Sequence, residues 1–334
     1  MRLVKVFRDA DADLALIQTR RVAIIGYGNQ GRAHALNLRD SGVTDIVIGM
    51  RPGSDRAGQI REDGFEVVAI GEAAHTADIV MLLAPDETHA AIWTEHLRTS
   101  IKPGAALGFA HGLAVHFGLI EPRADIDVFL VAPKGPGRTL RSEYVAGRGM
   151  PALFAVARDA TGAAQAIALS YAAALGCGRA AILASSFQEE TEADLFNEQA
   201  VVWGAVPDLL EAGFETLVEA GFSPEIAYFE CITELKLLAD LIHDRGIAAM
   251  REAISNTAEF GAVTGHGRIV TEETRAEMHK ILAEVRDGSF VRALTDEAVA
   301  GYPRLRAARA AATARGHEKV GRDIRTLAAG ETPG

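Results

Sequence analysis

Val22-Ala23-Ile24-Ile25-Gly26-Tyr27-Gly28-Asn29-Gln30-Gly31-Arg32 is the stretch on which the reading of the fold turns. Its four apolar residues suit a strand covered on both faces. The spacing of Gly26, Gly28 and Gly31, ahead of a helix-like stretch from Arg32 to Arg39, is the context in which a glycine loop binds a dinucleotide. Gly26 allows the tight turn, Gly28 lets a pyrophosphate approach the backbone, and Gly31 brings strand and helix together. The amides at the helix start then face the phosphates. A purely structural turn is the alternative that the spacing alone leaves open.

Outward from this loop, short apolar runs alternate with amphipathic stretches from Arg21 to about Ala184. Val22–Ile25, Ile46–Gly49, Phe65–Ala69, Ile79–Ala84, Ala105–Phe109, Val128–Val131 and Leu153–Val156 read as strands bounded by Gly, Pro or charge. They predict a Rossmann-type α/β domain over residues 1–184, built on parallel strands linked by helices. After Ser185 the apolar residues Leu195, Phe196, Val201, Val202, Leu209, Leu210, Phe214, Leu217 and Val218 recur near helical spacing. An all-α domain over residues 185–334 follows, with one helical segment from Asp194 to Ala220 and another from Pro224 to about His243. The sequence Ala220-Gly221-Phe222-Ser223-Pro224 punctuates the two. Arg304 to Arg315 reads as a solvated helix or tail, and Glu331 to Gly334 as frayed.

Composition narrows the function. A chain of 334 residues accommodates about two domains, and 49% hydrophobic with 24% charged content is ordinary for a globular protein. The net charge of −11 argues against a nucleic acid as general partner, because that requires a basic surface. Cys177 and Cys231 form neither a metal-finger spacing nor a disulfide framework, which fits a reducing cytoplasm. The N-terminus interrupts its apolar residues with charge, and no run reaches the roughly 18 apolar residues of a membrane span. A soluble, cytoplasmic protein is expected.

At the expected end of the second strand, Arg51, Ser54 and Arg56 surround a single Asp55. Two arginines and a hydroxyl favour a 2′-phosphate and hence NADPH over NADH, whereas an inward Asp55 would repel it. His111 and Lys134 sit at predicted carboxyl ends of strands, in Phe109-Ala110-His111-Gly112 and Ala132-Pro133-Lys134-Gly135-Pro136-Gly137. Open α/β sheets place their ligands at such ends. The acids Glu189, Glu190 and Glu192 at a helix start have an ordinary explanation in the helix dipole. Asp194 with Glu198, and Glu230 with Glu234, are instead pairs four residues apart among apolar neighbours, a spacing that points both carboxylates from one helical face. An oxygen-only, cysteine-free cluster of this kind suits Mg²⁺ better than Zn²⁺.

Together these residues resemble one family, the ketol-acid reductoisomerases (acetohydroxyacid isomeroreductases) in their short, class I form. The marks are GYGNQGRAHALNLRDSG from Gly26, FAHG from Phe109, VAPKGPG from Val131, EETEADLFNEQ from Glu189, AGFETLVEAG from Ala212, AYFECITELKL from Ala227 and ISNTAEFG from Ile254. The resemblance implies a Rossmann-type domain plus an all-α domain, with a knotted path through the latter left open. It implies alkyl migration in a 2-hydroxy-3-keto acid such as 2-acetolactate, then reduction by NADPH, in branched-chain amino-acid synthesis. Two Mg²⁺ ions are implied, with Asp194 bridging both, Glu198 on one, and Glu230 with Glu234 on the other, contributed across a homodimer interface. His111 matches the family's catalytic residue, Lys134 a polar group beside the metals, and Ser255 a substrate contact. The cofactor would meet Tyr27, Gly28, Asn29, Gln30, Arg51, Ser54, the loop Asp86, Glu87, Thr88 and His89, and Gly137.

Asn29, Ala193, Asn197, the pair Leu113-Ala114 and Asp55 depart from the family's pattern, while every implied metal ligand and His111 is retained. The departures bear on substrate range and cofactor preference, so a paralogue acting on a related keto acid is a second reading. A metal-independent dehydrogenase of the 3-hydroxyacid or imine-reducing type, and a non-catalytic cofactor-binding protein, are the remaining rivals.

Overall fold

The computed structural model describes residues 4–328, so the fraying expected at Glu331 to Gly334 lies outside the described residues. The chain divides into two compact units, one ending at Ala193 and the other beginning at Asp194.

The first unit is built on a sheet of nine strands: β1 (Val6–Phe7), β2 (Val22–Ile25), β3 (Ile46–Met50), β4 (Glu66–Ala69), β5 (Ile79–Leu82), β6 (Ala106–Phe109), β7 (Asp127–Pro133), β8 (Ala152–Arg158) and β9 (Ile182–Ala184). Their order is β1-β9-β8-β7-β6-β5-β2-β3-β4. From β4 to β7 every neighbouring pair is parallel. At the other side β8 runs antiparallel to β7, β9 parallel to β8, and β1 antiparallel to β9. All residues of β2, β5 and β6 are buried, which accounts for their unbroken apolar sequences. Successive side chains go to opposite faces: Ile24 and Ile48 join one core cluster, Ile25 and Val47 the other. Burying each such side chain contributes about 1.5–3 kcal/mol.

Because β2 lies between β3 and β5, the chain leaves it in opposite directions along the sheet. That reversal opens a crevice at the carboxyl ends of β2 and β5, the place where such sheets bind ligands.

The second unit is helical: Ala205–Glu219, Pro224–Tyr228, a π-turn at Phe229–Thr233, Leu235–Glu252, Asn256–Gly265, Glu272–Arg286, Ser289–Val299, Pro303–Thr313 and Gly316–Ala328. The single helical segment expected from Asp194 to Ala220 is corrected: the acidic helix Phe187–Ala200 stops, and the next begins at Ala205. The intervening turn is so tight that a Cβ at Gly204 would lie 1.9 Å from the Gln199 carbonyl oxygen. Pro224 takes the first turn of its helix as expected. The helix Leu235–Glu252 is broken at Gly246, whose φ of 76° and ψ of 169° are not helical. Pro303–Thr313 is a helix with no buried residue, a solvated helix rather than a tail.

Candidate active site

The glycine loop is shaped as its residue types require. Gly26 has φ 99°, and a Cβ there would sit 2.7 Å from the Ala84 amide nitrogen just beyond β5. At Gly31 a Cβ would lie 2.2 Å from the Gly26 carbonyl oxygen, so the close approach of strand and helix needs glycine. Gly28 has nothing within 4 Å of that position, leaving open space over the start of the helix Asn29–Asp40. No side chain caps that helix start, so its first amides are available to an anion. Gly137 presses on the same loop, since its Cβ would meet the Asn29 carbonyl oxygen at 2.0 Å. Gln30 ties the two loops by donating from Nε2 to the Gly135 carbonyl at 2.9 Å. Tyr27 turns its ring into the core, 2% exposed, and its hydroxyl binds Asp63 at 2.8 Å, leaving its backbone toward the loop.

Beyond β3 a cleft of about 390 Å³ is lined by Met50, Arg51, Pro52, Gly53, Ser54, Ala57, Arg61, Val67, Val68 and Ala69. Arg51 and Ser54 stand where the sequence put them. Arg56 and Asp55 are not among its walls, and Arg61, one turn into the helix Ala57–Glu62, is.

After β5, the turn Asp86–Thr88 leads into the helix His89–Ile92. The buried His89 donates from Nε2 to the Ala84 carbonyl at 2.8 Å, because a carbonyl can only accept. Its Nδ1 has no hydrogen-bond partner and lies 3.7 Å from the Asp86 carboxylate. Burial holds the Asp86 carboxyl above its usual range, against the pull of His111 and His89.

His111 follows β6 and Lys134 follows β7, and both converge on one carboxylate that the sequence reading had assigned to the helix dipole. Glu190, with its side chain 1% exposed, lies 3.2 Å from His111 Nδ1. It also accepts from Lys134 Nζ at 2.8 Å and from the Gly112 amide at 3.0 Å. Burial pushes its pKa up, but the bonds and charges of His111 and Lys134 outweigh that and bring it down to about 2. The helix approaches closely because residue 112 is glycine; a Cβ there would lie 2.4 Å from Thr191 Oγ1. Beside it, Glu192 lies 3.4 Å from His116 Nε2.

Glu190, Asp194 and Glu198 follow one another at intervals of four on the helix Phe187–Ala200, which runs unbroken past Ala193, and so share a face. His111 and Glu190 stand together in the first unit, and Asp194 follows Glu190 by about one turn along the same helix. Asp194 and Glu198 add two carboxylates to the face that Glu190 begins, and an oxygen-only set of this kind suits a hard divalent cation. The signal for Glu190 was present in the sequence as the first member of that four-residue series.

Within the second unit, Glu230 lies in the π-turn and Glu234 directly after it, where the Glu234 amide reaches back to the Phe229 carbonyl at 3.2 Å. Their separation is thus just short of one turn, and both are exposed on the single chain. Ser255 caps the helix Asn256–Gly265 by accepting from the Ala258 amide at 3.2 Å, which leaves its O–H as a donor.

Comparison with known proteins supplies the family. The model described as acetohydroxy acid isomeroreductase, NADPH-binding domain, matches residues 16–181, and that described as ketol-acid reductoisomerase, C-terminal domain, matches residues 187–329. A solved NADH-preferring ketol-acid reductoisomerase from an uncultured archean is 40% identical, with a TM-score of 0.94 over 97% of this chain and 99% of that one. A putative oxidoreductase from Jannaschia sp. CCS1 is 18% identical with a TM-score of 0.58, over 80% of this chain and 97% of that one. An NAD-binding semialdehyde dehydrogenase protein from Cupriavidus necator gives the same identity and score, over 80% of this chain and 99% of that one. These two share the fold alone. With family models matched along both halves and a relative 40% identical over nearly the whole length, the chain belongs to the ketol-acid reductoisomerase family.

Proposed function

We propose that the chain is a Mg²⁺-dependent ketol-acid reductoisomerase that converts 2-acetolactate and 2-aceto-2-hydroxybutyrate to 2,3-dihydroxy-3-methyl acids in branched-chain amino-acid synthesis. The observation that carries this reading is the buried Glu190, bonded to both His111 and Lys134 at the head of the series Glu190, Asp194, Glu198. In the first half-reaction the C2 hydroxyl loses its proton, the alkyl group moves with its bonding pair from C2 to C3, C2 becomes a ketone, and the C3 oxygen takes a proton. In the second, hydride passes from the dihydronicotinamide to C2 and a proton to its oxygen.

Glu190 accepts the Nδ1 proton of His111, which leaves Nε2 as the basic nitrogen that receives the C2 hydroxyl proton. The Lys134 ammonium, fixed by the same carboxylate, offsets charge on the substrate oxygens. Asp194, Glu198, Glu230 and Glu234 would hold two Mg²⁺ ions, which when bound stabilise alkoxide charge and align the neighbouring oxygens. Ser255 would donate its O–H to the substrate.

A nicotinamide cofactor follows from the family, and the Arg51 guanidinium with the Ser54 hydroxyl along the cleft supports NADPH. The NADH-preferring relative is the contrary indication. A homodimer with shared sites is supported by the helices Leu235–Glu252 and Asn256–Gly265, neither of which has a buried residue in the single chain, and by Phe260, 70% exposed. Among the described residues no helix is long and apolar enough to cross a membrane, in keeping with the cytoplasmic location we propose.

The test is oxidation of NADPH with 2-acetolactate and Mg²⁺, run beside samples with chelator and with NADH. Oxidation that requires Mg²⁺ supports the proposal, whereas oxidation indifferent to chelation moves it to a simple dehydrogenase. Cofactor binding without oxidation points to a paralogue or a non-catalytic protein.

A further inference from the structure

The cleft beyond β3 has two chemically different sides. Met50, Val67, Val68 and Ala69 at the ends of β3 and β4 are apolar, and Arg51 and Ser54 lie on the connecting loop. The helix Ala57–Glu62 contributes Ala57 and Arg61. Arg61 Nη1 lies 3.4 Å from the Ala57 carbonyl oxygen, so the guanidinium folds back over the first turn of its own helix. The side chain at Ala57 is only a methyl group, which leaves room beneath a planar cation. In a dinucleotide-binding sheet the loop after this strand meets the adenosine half of the cofactor.

We propose that Arg61 clamps the adenine ring, stacking its guanidinium on one face while the apolar strand ends receive the other. The proposal deepens the reading of the chain as a nicotinamide-dependent enzyme and rests on it. A guanidinium suits this role because its plane is weakly hydrated and attracted to an aromatic face. The platform is fixed at both ends. Ile60 is fully buried in the core, and Asp63, which ends the helix, accepts from Arg32 Nε at 2.6 Å and from the Tyr27 hydroxyl at 2.8 Å. Arg39 donates to the Asp63 carbonyl at 2.6 Å. The adenine is common to NADH and NADPH, so Arg61 sets affinity for both, while discrimination of the 2′-phosphate belongs to Arg51 and Ser54.

The experiment compares the full-length enzyme with Arg61→Ala and Arg61→Lys, measuring kcat and KM for NADPH and NADH, turnover with reduced nicotinamide mononucleotide, and binding of 5′-AMP. Both variants are expected to raise the two KM values by the same factor, about fivefold, and to weaken 5′-AMP equally. kcat and turnover with the mononucleotide, which has no adenine, stay unchanged. Arg61→Lys keeps the charge and stem and loses the plane, so it distinguishes stacking from simple charge even where truncation disturbs the helix. A rise confined to NADPH would make Arg61 a phosphate ligand and overturn the clamp, as would unchanged KM values for both cofactors. Failure of the wild-type enzyme to bind 5′-AMP at all, or to oxidise either cofactor, would instead overturn the underlying reading.

Discussion

Glu190 is buried and ionised at once, a state that burial alone opposes and that His111 and Lys134 make favourable. Replacing it by Gln keeps the volume and removes the charge on which both partners depend. Glu190→Gln is expected to lower kcat about a hundredfold while changing the cofactor KM less, because Glu190 reaches the loop that carries Gly135 and Gly137 only through the Lys134 side chain. Steady-state kinetics check this, and a kcat near that of the wild type would release Glu190 from the proposed machinery. His111 and Lys134 were legible because they sit at strand ends, where ligands bind. Glu190 was not, because three acids at a helix start have a sufficient cause in the dipole. Only its long-range contacts to Gly112 and Lys134, just after β6 and β7, separate it from Glu189. Arg61 escaped for a related reason: it lies seven positions past Ser54, and only helix formation brings it back to the cleft.

The glycine loop and the helix Gly137–Val145 touch so closely that residue 137 has no room for a side chain. Gly137→Ala forces the two apart, and overpacking of this kind costs about 1–3 kcal/mol. The expected result is a lower melting temperature, together with a higher KM for the nicotinamide cofactor and a smaller change in kcat. Thermal melts with and without cofactor, alongside kinetics, test it; a variant with unaltered cofactor KM would show that the contact serves stability only. Strands β2 to β8 could be read from the sequence because each carries an apolar run bounded by turn residues. β1 and β9 could not, being two and three residues long and held by pairing with each other at Val6↔Leu183 and Phe7↔Ile182. The π-turn at Phe229–Thr233 was equally hidden, since a one-residue widening leaves the apolar period almost unchanged.

In the first unit as a whole, acid acts through a histidine that catalysis does not use. His34 is fully buried, bonded at Nδ1 to the Tyr171 hydroxyl at 3.0 Å, and its burial lowers its pKa from 6.5 to about 3. A folded-state pKa below the unfolded value gives stability that is complete above about pH 6.5 and is lost as pH falls toward 3. Chemical denaturation at stepped pH should show a loss approaching about 1.4 kcal/mol per pH unit from this group, reduced in His34→Gln; equal slopes in both proteins would assign the acid sensitivity elsewhere. At the scale of the assembly, the exposed apolar residues of the second unit and the proposed split of metal ligands between subunits make one prediction. An Asp194→Asn chain and a Glu230→Gln chain should each be inactive alone. If Asp194 of one subunit works with Glu230 of the other, a mixed dimer pairs both substitutions in one site and both native carboxylates in its second. Random reassociation of equal amounts should then restore about a quarter of wild-type activity, half the dimers being mixed with one of two sites intact. Activity measured after co-refolding, with sedimentation to establish that mixed dimers form, decides the matter. Mixed dimers without activity would place the four carboxylates of each site on a single chain.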